Sequence, residues 1–206
     1  MISRPVFLIV AFSTGAVLAA PRTYAIDGAV SSASAHVGKT GFASFAGHEH
    51  VVLAQHIQGE VIFDLQSFGQ SSVDIIVDAR SLKVREEGEP EGDAAKVQQK
   101  MRGPDQLNVD QHRTIHFQST AVKGKQTGPA TAELSVAGDL SLHGLSKPCT
   151  VLLTLDLNGD RLVATGKVVI KLSDFGIEPS GAAGGMVKVE NDVPVEFKIG
   201  ARASGK

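Results

Sequence analysis

Between Glu133 and Ile170 the chain reads ELSVAGDLSLHGLSKPCTVLLTLDLNGDRLVATGKVVI, and its hydrophobic residues keep a period of two. Leu134, Val136, Leu140 and Leu142 alternate with Glu133, Ser135, Asp139 and Ser141. Val151, Leu153, Leu155 and Leu157 continue the pattern, and Leu162, Ala164, Val168 and Ile170 follow them. Successive side chains of a strand point to opposite faces, so this period predicts half-buried β-strands. Asn158-Gly159, between two such runs, predicts a tight hairpin.

The same alternation extends outward. Val73, Ile75, Val77 and Ala79 alternate with Ser72, Asp74 and Asp78, while Ile115 and Phe117 alternate with Thr114, His116 and Gln118. Val193, Val195, Phe197 and Ile199 form the last run. Gly124 and Gly128-Pro129 mark a longer connection. One stretch breaks the period. Asp93 is expected to cap a short helix whose Ala94, Val97 and Met101 share a face, with Lys96, Lys100 and Arg102 toward its C-terminal end. Gly103 and Pro104 stop it, and the charged, Gly-broken segment from Arg85 to Gly92 reads as an exposed loop. Many regular strands with one helix predict an all-β antiparallel sandwich or barrel, with the helix over one end.

Composition narrows the possibilities. The 206 residues are 42% hydrophobic, 20% charged and carry a formal net charge of -2, which argues against the basic footprint of a nucleic-acid binder. Nine Phe, one Tyr and no Trp make the apolar surface mainly aliphatic. Met1 to Ala20, MISRPVFLIVAFSTGAVLAA, has Arg4 before an apolar run and small residues at its end. That is the layout of a secretory signal peptide cleaved near Ala19 or Ala20, and it predicts a periplasmic mature domain over 21–206. Cys149 is the single cysteine and is expected to be a partly buried structural thiol.

Several phrases, in order, resemble the YceI-like polyisoprenoid-binding family. They are Tyr24-Ala25-Ile26-Asp27 with Ser31-Ser32, VDIIVDARSL from Val73 to Leu82, and Leu107-Asn108-Val109 followed by Ile115 to Thr120. The most specific is GDLSLHGLSKP from Gly138 to Pro148; Ser173 to Ile177 and Glu190 to Val193 complete the order. The resemblance covers nearly all of the chain after Ala20. It implies an extended, lipocalin-like antiparallel β-barrel of roughly eight strands, wide enough for one apolar ligand. The implied partner is an isoprenoid lipid, a polyprenol or quinone-like molecule, bound without catalysis and without a cofactor. Transient membrane contact and pairing of two barrels stay open. An isoprenoid tail of several units would contribute well over ~8 kcal/mol gross from apolar burial, much of it offset by ordering and association.

Alternation and resemblance together select the expected tunnel residues: Val37, Leu53, Ile57, Val61, Phe63, Val73, Ile75, Val77, Phe117, Leu140, Phe175 and Phe197, with Met101 closing one end. Two features depart from the family pattern. Ala33 and Ala35 put small side chains on an early strand, which means either a roomier cavity or a closer neighbour. The long segment from Gly41 to Gln58 holds His48-Glu49-His50 and His56. His48 and His50, two apart on a strand, would share a face and suit one metal ion, with His36 across the hairpin as a third ligand. The spacing resembles the cupin H-x-H, but Gln55 stands where a cupin places Glu. A metal-dependent enzyme on these histidines is therefore one rival reading. A barrel filled by its own side chains, serving as an interaction or stress protein, is the other. His112, His116 and His143 read as surface or structural groups, and Gly181 to Gly185 as a loop near a barrel mouth.

Overall fold

The alternating runs become strands, and their order closes a barrel. The computed structural model describes residues 20–40, 49–88, 90–179, 181–182 and 187–205. Early strands are short: β1 Arg22–Ile26, β2 Ser32–Val37, β3 Lys39–Thr40, β4 His50–Ala54, β5 Ile57–Phe63, β6 Ser72–Asp78 and β7 Lys83–Val84. Helix α1, Asp93–Arg102, separates them from the long strands β8 Thr114–Gly128, β9 Thr131–Leu142, β10 Leu145–Asn158 and β11 Arg161–Lys171. Two short strands, β12 Gly181–Ala182 and β13 Val187–Val189, precede β14 Asp192–Ala203. The runs around Leu134, Val151, Leu162 and Val193 thus lie on β9, β10, β11 and β14.

Eight strands form the ring β1-β5-β6-β8-β9-β10-β11-β14, and β14 returns to β1 to close it. All pairings in the ring are antiparallel. The seam between β1 and β14 is only partial. Ala201 to Ala203 pair with β1, whereas Val195 to Lys198 pair with β2. From there β2 pairs with β4 and β4 with β7, so one end of the barrel carries an extra three-strand flap.

Helix α1 completes the wall beside this flap. Its apolar residues Ala94, Val97 and Met101 pack against Val52, Leu82 and Val84. Gln98 spans the gap with both ends of its amide, accepting from the Val84 N–H (2.7 Å) and donating to the Leu82 carbonyl (2.9 Å). Arg102 donates to the carbonyls of Arg80 (2.7 Å) and Leu82 (3.0 Å). These side chains satisfy backbone groups that an edge strand would otherwise leave open. The helix cap differs from expectation. Gly92, with φ +75°, occupies the N-cap, and Asp93 is the first helical residue. At that position its carboxylate still favours the positive end of the helix dipole.

The other end of the barrel is filled. Tyr24, Val61, Phe63, Val122, Leu134, Val136, Leu155 and Leu162 belong to one buried cluster. Each such large aliphatic or aromatic side chain contributes roughly 1.5–3 kcal/mol on burial. A bulge between Ser119 and Ala121 shifts the inward face of β8 from Ile115 and Phe117 to Val122. The loop after β5 is pinned by buried Asp64, which accepts from the backbone N–H groups of Gln66 (2.8 Å) and Ser67 (3.2 Å).

A two-residue turn joins β9 to β10, with Leu142 opposite Leu145. Both central residues are left-handed: His143 has φ +51° and Gly144 φ +76°. His143 repays its strained backbone with contacts. Its Nδ1 lies 3.0 Å from the Phe175 carbonyl oxygen, and its ring meets His112 edge-on at 4.7 Å between centroids. A Cβ on Gly144 would lie 2.7 Å from the His112 ring. The variant Gly144→Ala is therefore expected to lose at least ~1–2 kcal/mol, the usual cost of a left-handed non-glycine residue. Urea denaturation checks this, with Gly69→Ala, where a Cβ meets nothing within 4 Å, as the comparison.

Candidate functional site

Above the filled half lies a cavity of about 500 Å³. That volume falls within the range of small-molecule sites, roughly 300–1,000 Å³. Its walls come from the upper ends of the strands. Ala33, Ala35 and Val37 of β2 and Val52 and Ala54 of β4 form one side. Val193 and Val195 of β14 adjoin β2, Val77, Ile115, Leu142 and Ile170 continue the strand wall, and Val97, Met101 and Leu107 complete the helical side. These wall residues are aliphatic apart from Met101, and His50, Gln106, Asp93 and four lysines add polar groups to the lining. Ala33 and Ala35 thus face open space, so the small side chains of β2 make room for a cavity.

A layer of aromatic rings lies one inward position below. On β8, Phe117 follows Ile115; on β14, Phe197 follows Val195. Each ring rests over a glycine of a neighbouring strand. A Cβ at Gly138 would stand 2.7 Å from Phe117 Cζ, and one at Gly166 would stand 2.7 Å from Phe197 Cζ. Only glycine leaves room for such an approach in the middle of a strand. Phe117 also packs on the filled cluster below. These two ring-on-glycine contacts separate the open half from the filled one.

The expected tunnel residues divide along the same line. Val37, Val77 and Met101 line the cavity. Val61, Phe63, Val73 and Phe117 belong to, or pack against, the filled cluster. Leu140 and Phe175 sit in a buried cluster with the cavity-lining Leu142 and Ile177. Ile57 is buried where β5 pairs with Val77, and Ile75 stands below Val77 on β6. Leu53 lies between the cavity-lining Val52 and Ala54, which turns it to the opposite face of β4. Of the thirteen expected residues, three line the cavity in the upper half of the barrel. Alternation could have pointed to Val195 and Leu142, because they share the inward parity of Phe197 and Leu140.

The histidines divide as well. His50 faces inward, is only 7% exposed and lines the cavity. His36 pairs opposite Val51, beside the pairing of Val37 with His50, and so lies on the other face of the sheet. There its Nδ1 sits 2.8 Å from Glu49 Oε1. His36 and His50 therefore cannot converge on one metal. His48 lies outside the described residues, as do Met1 to Ala19 and Ala183 to Gly185 of the glycine-rich segment. Among the described residues no group of three His, Cys, Asp or Glu is placed to hold a metal ion. His116 pairs with Asp74 on the outer surface at 3.1 Å. Cys149 is half-buried beside the Leu140 cluster, and burial pushes its thiol above the ordinary cysteine range, away from the thiolate form.

Comparison with known proteins places this architecture. The profile of the YceI-like domain matches residues 24–201. The chain belongs to the YceI-like family. A UPF0312 protein of Vibrio cholerae is 30% identical over 168 residues, 78% of this chain and 80% of that one. A UPF0312 protein of Pseudomonas putida is 39% identical over 84 residues, 38% of this chain and 42% of its own length. Among solved structures, BcnA of Burkholderia cenocepacia superposes with a TM-score of 0.66 at 22% identity, covering 85% of this chain and 99% of BcnA. A polyisoprenoid binding domain from Saccharophagus degradans gives 0.64 at 15% identity, covering 88% and 98%. At these identities the two structures speak for the fold alone.

The floor of this YceI-like barrel yields a direct test. Phe197→Ala removes the ring over Gly166 and should deepen the cavity toward Leu153. The expected cost is about 3 kcal/mol, at the low end for a Phe truncation because Phe197 is only half-buried. Denaturation and a crystal structure of the variant check the loss and the added depth together.

Proposed function

We propose that this YceI-like domain binds an isoprenoid lipid, a polyprenol or quinone-like molecule, and holds it without chemical change. The observation that carries this reading is the aliphatic cavity above the Phe117 and Phe197 rings. A branched hydrocarbon tail has no polar group to recognise, so its site must work through shape and apolar area. A tail burying roughly 300 Å² of apolar surface would gain about 7.5 kcal/mol gross. Ordering and association offset part of this. Family membership supports the reading, and so does the Saccharophagus neighbour described as a polyisoprenoid binding domain. The filled lower half limits the enclosed length, so affinity should rise with the first isoprene units and then level off.

Native mass spectrometry of protein purified from an exporting host is expected to detect a co-purifying lipid. Ala35→Phe projects a ring into the cavity from β2 and should weaken prenol binding at least about tenfold while the barrel stays folded. Unaltered prenol binding by that variant would refute the assigned pocket.

We also infer that the domain acts in the periplasm after export. The reading rests on Arg4 and the apolar run that ends at Ala19 and Ala20. N-terminal sequencing of the periplasmic fraction should begin at Ala20, or at Pro21 if cleavage falls one residue later. An intact Met1 would argue against it.

A further inference from the structure

Helix α1 is held differently at its two ends. At the C-terminal end the backbone ties it into the fold. The N–H groups of Leu107, Asn108 and Val109 donate to the carbonyls of Met101 (3.0 Å), Gly103 (2.9 Å) and Arg102 (3.2 Å), and Val109 is buried. At the N-terminal end the chain arrives through Gly88 and Gly92, both left-handed at φ +87° and +75°. A Cβ at either would meet nothing within 4 Å. Between the ends no residue of α1 is fully buried. Apolar contacts of Ala94 and Val97 and the Gln98 amide, on Val84 and Leu82, hold this part to the flap.

Both faces of the helix look onto open space. Asp93, Lys96, Val97, Lys100 and Met101 line the cavity. Ala94, Ala95 and Gln98 line a second recess of about 540 Å³, against Lys83, Val84 and the loop residues Glu86, Pro90 and Glu91. At about 3.6 residues per turn, the two sets fall on opposite sides of the helix. The helix is thus a thin partition, with the cavity on one side and room to move on the other. A shift into the recess carries Val97 and Met101 away from the cavity and widens its opening. Alanine side chains at 94 and 95 leave that path clear. The shift breaks the two hydrogen bonds of the Gln98 amide, and water can replace them at modest cost. Across the opening, Lys100 Nζ releases the Gly181 carbonyl, which it reaches at 3.4 Å, in the same movement.

We infer that α1 is a hinged gate for the cavity: its N-terminal half swings about the turn at 103–107 into the recess behind it, and Gln98 is the latch that holds it shut. This rests on the proposal that the cavity takes an apolar ligand. Hinges of this kind confine backbone rotation to a few residues at the end of an element. The closed helix slows entry and exit alike, so the latch sets exchange rates and leaves affinity to the cavity walls.

Stopped-flow fluorescence of the intact domain with N-phenyl-1-naphthylamine, an uncharged probe that brightens in apolar sites, tests this. Gln98→Leu keeps a good helix former and removes the latch. It should raise the association and dissociation rates together, each about fivefold, and leave Kd within about twofold of the parent. Ala95→Phe fills the recess from an exposed position and should slow both rates, again at constant Kd. Parent rates in both variants would overturn the gate. Faster dissociation alone in Gln98→Leu, with Kd weakened in proportion, would overturn the latch and make Gln98 a packing residue of the wall. Binding of neither the probe nor farnesol by the parent domain would overturn the cavity reading itself.

Discussion

A closed barrel of eight strands has a fixed circumference, so the volume of its inward side chains decides whether its interior is solid or hollow. Around Tyr24, Phe63, Val122, Leu134 and Leu162 the inward positions are large, and the interior is packed. Around Ala33, Ala35 and Ala54 they are small, and a cavity opens. Those small residues belong to β2 and β4, the flap strands that take the place of β1 beside β14, so wall and side-chain volume change together between the two halves. The two phenylalanines resting on Gly138 and Gly166 stand where the change occurs.

The hollow half also needs a different wall. β14 leaves β1 and takes β2 as its partner, and the flap ends at the two-residue strand β7. An edge there would expose backbone groups beside an apolar cavity, a combination that invites pairing with another chain. Gln98 and Arg102 answer this from the helix side. Helix α1 therefore supplies hydrogen bonds to the flap and apolar contacts to the cavity from neighbouring positions. None of its residues is fully buried, so its place depends on these side-chain bonds more than on a packed core of its own.

The strands and their facing were legible because alternation reports orientation directly. Leu134, Val136, Leu140 and Leu142 showed it most clearly, and all four are buried. Height along the barrel was not legible. Phe117 and Ile115 have the same parity and chemistry, yet one caps the packed half and the other lines the cavity. Only the pairing register, which joins residues far apart in sequence, sets that difference. Leu53 was misplaced for a related reason: its hydrophobicity suggested the interior, while the register that turns Val52 and Ala54 inward turns it away. The same register separates His36 from His50, which sequence proximity had brought together. Ala33 and Ala35 were visible as small residues, but their meaning depended on whether a neighbour filled the space beside them.

A cavity this large costs stability that a fully packed barrel would keep, because the atoms lining it lack partners on one side. The filled half offsets that cost by concentrating the large side chains beneath the floor and leaving the walls above thin. The rings of Phe117 and Phe197 stand one inward position below the cavity-lining Ile115 and Val195, so the change from packed to open falls within a single inward step on β8 and on β14.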